Sequence, residues 1–147
     1  MKLIKIYDSK DYITANFQRR EFRNTKYGGF RDFEMPEALA DGLQILRDHF
    51  KVPIKITSVL RLKDTFGFHR TGEALDCVMY AAPLKYIELF KIECQNYRDK
   101  KGSILIGAMR SVGITGFGME SGCIHIDCRK SVFNANDKYG GYCIFSW

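Results

Sequence analysis

Four glycines, Gly113, Gly116, Gly118 and Gly122, punctuate two strands near Ile114–Met119 and Cys123–Arg129. Upstream, the run VPIKITSV from Val52 to Val59 alternates as a half-buried strand does. Val52, Ile54, Ile56 and Ser58 take one face, Lys55 and Thr57 the other. Ala74–Met79 reads as another short strand, and Leu3–Tyr7 as a strand or an extended arm. Residues Tyr12 to Arg23 suit one or two helical turns. A longer helix is predicted from Met35-Pro36 to Phe50, because proline suits a first helical turn and Leu39, Leu43, Leu46 and Phe50 recur at three-to-four spacing. Pro83 opens a second helix to about Asn96, while Ile104–Gly107 fits either a strand or a helix start. Strands and long helices therefore do not alternate regularly, and the expected class is α+β rather than doubly wound α/β.

At 147 residues the chain is expected to form one domain, residues 1–147, able to bury a core without disulfide staples. Its hydrophobic content of 46% and charged content of 27% exclude a disordered chain, a collagen-like repeat and a small disulfide scaffold. Five cysteines, an odd number with no C-x-x-C pair, read as reduced and mostly buried thiols. No apolar run approaches the roughly 18 residues of a membrane span, and no signal peptide is visible at Met1–Lys10. The expected site of synthesis is therefore the cytoplasm. The net charge of +6 calls for a polyanionic partner, yet no nucleic-acid-binding motif accompanies it, so no specific nucleic acid is expected.

Two of the three histidines stand in unusual settings. His69 opens the string His69-Arg70-Thr71-Gly72-Glu73-Ala74-Leu75-Asp76, and His125 lies in Cys123-Ile124-His125-Ile126-Asp127-Cys128. His69 and Asp76 are an odd number of residues apart, so they converge only if the chain turns between them, and Thr71-Gly72 is the place for that turn. On the second strand Cys123, His125 and Asp127 share a face, leaving Ile124, Ile126 and Cys128 for the core. Two histidines and one aspartate meet the ligand count of a catalytic zinc site. The competing reading makes His69 a loop residue and His125–Asp127 a surface hydrogen-bonded pair. His49, ending the first long helix, reads as a dipole-favoured terminal histidine, and Cys123 as a thiol that shares the histidine's face. Phe66, Phe68 and Phe117 are candidates to line a groove.

The string H-x-x-G-x-A-x-D, followed about fifty residues later by H-x-D on a strand, resembles the M15 zinc peptidases. This is the D-alanyl-D-alanine carboxypeptidase and peptidoglycan endopeptidase group. The resemblance covers roughly residues 17–130. It takes in the helix from Met35-Pro36 to His49, the strand Pro53–Ser58, Arg61 just after it, and the segment Gly113–Asp127. It implies a Hedgehog/DD-peptidase-like α+β fold with a small, mostly antiparallel sheet flanked by helices. It also implies Zn2+ held by His69, Asp76 and His125, with Arg61 holding a substrate carboxylate or a developing oxyanion; the plain alternative for Arg61 is a surface arginine at a strand end.

The sequence departs from the family in two places. Gly67 stands where the family usually has serine, and Gly122 stands where many members carry the acidic residue three positions before the last histidine. Asp127 and Glu120 are left as competing candidates for the catalytic carboxylate, Asp127 with a ring-orienting role as its alternative. The resemblance implies a carboxypeptidase or endopeptidase acting on peptidoglycan peptide stems. The expected form is a monomer with no wall-binding repeat, of the kind phages release at lysis. The alternative from another class is a zinc-binding module of the same fold that has lost catalysis and serves in binding or structure.

Overall fold

The computed structural model describes residues 1–23, 30–62, 68–120, 122–129 and 143–146. Strand β1 (Leu3–Ile6) pairs antiparallel with β2 (Phe33–Pro36), Leu3 opposite Pro36 and Ile6 opposite Phe33. A short helix, α1 (Arg19–Arg23), lies between them in sequence and buries Phe22. Helix α2 (Glu37–Phe50) follows β2 without a loop. Met35 and Pro36 therefore end a strand instead of opening the helix. Pro36 is the N-cap, and its ψ of 129° is extended, while its fixed φ costs nothing at a junction.

The three-to-four spacing of α2 buries Leu39, Ala40, Leu43 and Leu46. Gly42 lets this helix approach the sheet side closely, since a Cβ there would stand 2.7 Å from Cγ1 of Ile114. The helix stops at Lys51, which adopts the left-handed conformation at φ 58° and returns its N–H to the carbonyl of Arg47.

The main sheet has five strands in the order β3-β4-β6-β5-β7: β3 (Lys55–Ser58), β4 (Ala74–Val78), β5 (Gly116–Glu120), β6 (Cys123–Asp127) and β7 (Cys143–Ser146). All neighbours are antiparallel except β5 and β7, which run parallel. The architecture is thus α+β, with small antiparallel sheets flanked by helices. Strand β3 is shorter than the alternation of residues 52–59 suggested, but its faces are as read: Ile56 and Ser58 are buried and Lys55 is exposed. Near the C-terminal end, Cys143–Ser146 joins the sheet edge. Phe66, a groove candidate, lies outside the described residues.

Helix α3 (Pro83–Arg98) carries Pro83 at its start, as its sequence implied. The ambiguous segment after it is helical: α4 (Ile104–Ser111). Ser103 decides this, because its side chain caps the helix by accepting from the N–H of Ile106 at 3.1 Å. Its hydroxyl also donates to Glu93 on α3. Ser103→Ala is expected to lower stability by about 1 kcal/mol, read as a lower urea midpoint at unchanged slope.

The core gathers Leu43 and Leu46 of α2, Phe90 of α3, Leu105, Ile106 and Met109 of α4, and Phe117, Ile124 and Ile126 of the sheet. Phe117 is fully buried among them and so lines no groove. Cys77, Cys94 and Cys128 are buried free thiols, and burial pushes Cys128 up to about 12, which leaves it unreactive at neutral pH. No helix among the described residues is long and apolar enough to cross a membrane.

Candidate metal centre

Antiparallel pairing of β4 with β6 sets Asp76 directly opposite His125. His69 reaches the same point by a different route. It sits in a single 3-10 turn (Phe68–Thr71), and Gly72 at φ 77° then swings the chain into β4. That turn is the one the odd spacing of His69 and Asp76 required.

The three side chains are 8%, 7% and 9% exposed, in the order His69, Asp76, His125. His69 Nε2 stands 3.2 Å from Asp76 Oδ2, and His125 Nδ1 stands 2.9 Å from Asp76 Oδ1. The ring centroids of the two histidines are 5.1 Å apart. One potential ligand atom from each residue falls within 4.8 Å of the others, so this buried group can hold a metal ion.

Hydrogen bonds at the far side of each ring orient the donor atoms. The backbone carbonyl of Val59 lies 2.8 Å from His69 Nδ1. A carbonyl only accepts, so Nδ1 carries the proton and Nε2 presents its lone pair. That Nε2 is buried and makes no hydrogen bond among the described residues. On His125 the outer nitrogen Nε2 lies 2.9 Å from Asp127 Oδ2, which leaves Nδ1 facing Asp76.

With carboxylates at both ring nitrogens, His125 is raised: burial opposes its charge, but Asp127 and Asp76 outweigh burial. Asp76 is held below the usual carboxylate range: burial pushes it up, but the His125 and His69 rings beside it outweigh burial. Asp127 is lowered as well; there too burial is overcome, by Arg129 and then His125.

Arg61 belongs to the same cluster. Its Nη2 contacts Asp76 Oδ2, its Nε donates to Ser58 Oγ at 2.7 Å, and its backbone N–H donates to the carbonyl of His69 at 2.8 Å. It is therefore a partner of the Asp76 carboxylate and not a lone arginine at a strand end. Asp127 shares the strand face with His125, as alternation requires, but its side chain is fully buried. Far from being a surface pair, His125 and Asp127 are enclosed together. Glu120 ends β5 in register with Cys123, and only its backbone is described. Cys123 is half-buried. His49, in the last turn of α2, stands apart from the cluster, 3.9 Å from Glu93 and edge-on to Phe50.

Three contributors escaped sequence reasoning. Arg129 pairs with Asp127, the Val59 carbonyl orients His69, and Gly116 lies across the strand pair from Asp127. Alternation along 125, 127 and 129 was the available signal for Arg129; for the carbonyl there was none. No protein-family model matches the chain, and neither a curated protein nor a solved structure matches it.

Proposed function

We propose that the chain is a zinc-dependent peptidase of bacterial peptidoglycan, with a Hedgehog/DD-peptidase-like fold. The observation that carries this reading is the buried Nε2 of His69, without a hydrogen bond among the described residues and aimed at a carboxylate that His125 Nδ1 also faces. An orphaned buried nitrogen costs stability unless something meets it. Ligand bonds of about 2.0 Å to a tetrahedral zinc put neighbouring donors roughly 3.3 Å apart; His69 Nε2 and His125 Nδ1 stand 3.2 and 2.9 Å from different oxygens of Asp76, and one donor atom from each residue lies within 4.8 Å of the others. Two imidazoles and a carboxylate are also a donor set that zinc takes readily. His69, Asp76 and His125 would hold the ion, with a fourth position left for water or substrate.

Zinc, when bound, supplies Lewis-acid polarisation of a scissile carbonyl and makes water a usable nucleophile near neutral pH. The chain's own residues supply the rest. Arg61, with its planar guanidinium, holds a substrate carboxylate or the developing oxyanion. Asp127 holds the His125 ring through Nε2. The enclosure of Asp127 supports that orienting role over proton transfer to substrate, and Glu120 is the proposed proton acceptor. The substrate class is the peptide stem of the wall, and a phage lysis enzyme acting as a monomer is the corresponding biological setting. The +6 charge supports long-range attraction to an anionic envelope.

Purified peptidoglycan incubated with zinc-loaded protein tests this, with the released muropeptides identified by mass spectrometry. Stem-peptide fragments that disappear with His69→Ala are expected. If loaded protein releases nothing, the enzyme reading fails. Gly122, standing where an acidic base is common, favours the second reading, an inactive zinc-binding module of the same fold. That module would bind zinc and wall but release no fragment.

A further inference from the structure

We propose that Arg129 and Gly116 are positioning residues for the metal centre, acting through Asp127 on His125. The inference rests on the metal-centre reading above and extends it to groups that touch neither metal nor substrate.

Arg129 Nε lies 2.9 and 3.1 Å from the two oxygens of Asp127, and its backbone N–H donates to Oδ1 at 3.1 Å. The guanidinium also lies 4.9 Å over the ring of Phe68, the residue before His69. One cation therefore touches the segments that carry both histidines. The backbone of Arg129 is itself held, because its carbonyl accepts from Thr115 Oγ1 while the N–H of Thr115 donates to the carbonyl of Asp127 at 2.9 Å. A buried carboxylate needs strong donors beside it, and the Arg129 guanidinium and backbone N–H supply them. Asp127 Oδ2 in turn lies 2.9 Å from His125 Nε2, and that contact fixes which nitrogen faces Asp76.

Gly116 supplies the space. It is the cross-strand neighbour of Asp127, and a Cβ built on it would fall on the Asp127 carboxylate. Here glycine is required by close approach, and any side chain at 116 pushes the carboxylate off His125.

Loss of a group that orients a metal-bound histidine typically weakens metal affinity about 10- to 100-fold. Zinc affinity, measured by competition with a chromophoric chelator, and the visible spectrum of cobalt-loaded protein report this without any activity assay. Arg129→Gln and Gly116→Ala are expected to weaken zinc binding within that range and to shift the cobalt bands; Arg129→Lys is expected to recover part of the affinity. In an Asp127→Asn background, Arg129→Gln should add little, because the residue it acts through has already changed. If Arg129→Gln lowers the melting temperature of the metal-free protein but leaves zinc affinity and cobalt spectrum as in the parent, its role is structural and the proposal is overturned. If the double variant shows the two losses simply added, action through Asp127 is overturned. Should Gly116→Ala fail to fold, the Arg129 series carries the test alone. Parent protein that takes up no zinc sinks the metal-centre reading itself, a result distinct from either of the others.

Discussion

Zinc added to the metal-free protein is expected to raise its melting temperature by roughly 10 °C, and Asp76→Ala is expected to abolish that rise. A ligand at a thousandfold excess over its dissociation constant stabilises the folded state by about 4 kcal/mol. For a chain of this size each kcal/mol moves the midpoint by about 2–4 °C. Asp76 faces both histidines and Arg61, so its loss removes a proposed ligand and the anion on which three nitrogen groups converge. The metal-free variant is expected to lose about 3 kcal/mol as well, the order of cost for breaking a buried charge pair. Thermal melts with and without zinc, in parent and variant, measure both effects. An equal zinc shift in both proteins would show the ion binding elsewhere.

Phe90→Ala is expected to destabilise the protein by about 3–5 kcal/mol, the range for truncating a buried phenylalanine. Helix α3 spans Pro83–Arg98, yet only Phe90 and Cys94 of it are fully buried, while Leu84 and Ile92 are 71% and 49% exposed. Phe90 is thus the largest fully buried side chain of the helix, with Tyr86, Ile87 and Tyr97 packing partly buried against the core. Against a typical total of about 5–15 kcal/mol, the loss is a large share, and a fall in the urea midpoint without a change in zinc affinity of the folded fraction would mark it as a packing effect. A change under 1 kcal/mol would mean that the cavity collapses around its neighbours.

The class of fold and the gathering of His69, Asp76 and His125 into a group that can hold a metal ion were legible because both depend on short-range pattern. The alternation of residues 123–128 does place His125 and Asp127 on one face with Ile124, Ile126 and Cys128 in the core. The odd spacing of His69 and Asp76 did require the turn that Gly72 makes. The limits came from context. Met35-Pro36 reads as a helix start, but pairing with β1 claims it for a strand. Ile104–Gly107 carries an apolar run that suits either state, and the deciding group is the Ser103 cap outside it. Side-chain identity could not show that Asp127 is enclosed, since burial there is imposed by Arg129 and by a bare glycine on the neighbouring strand. The parallel docking of Cys143–Ser146 on β5 depends on a contact with no local signature.

The pairing of Asp76 with His125 also bears on the order in which the molecule assembles. His69 and Asp76 are joined by one tight turn, a closure that an unfolded chain makes easily, but His125 lies 49 residues from Asp76. Closing that larger loop costs chain entropy that is recovered only when β6 adds to β4. Two of the three residues can thus come together early, while the third arrives with the long-range sheet. On the proposed metal-centre reading, capture at full affinity needs β6 in place, so a zinc-responsive spectroscopic probe would follow the joining of β6 to β4 and not the first turn.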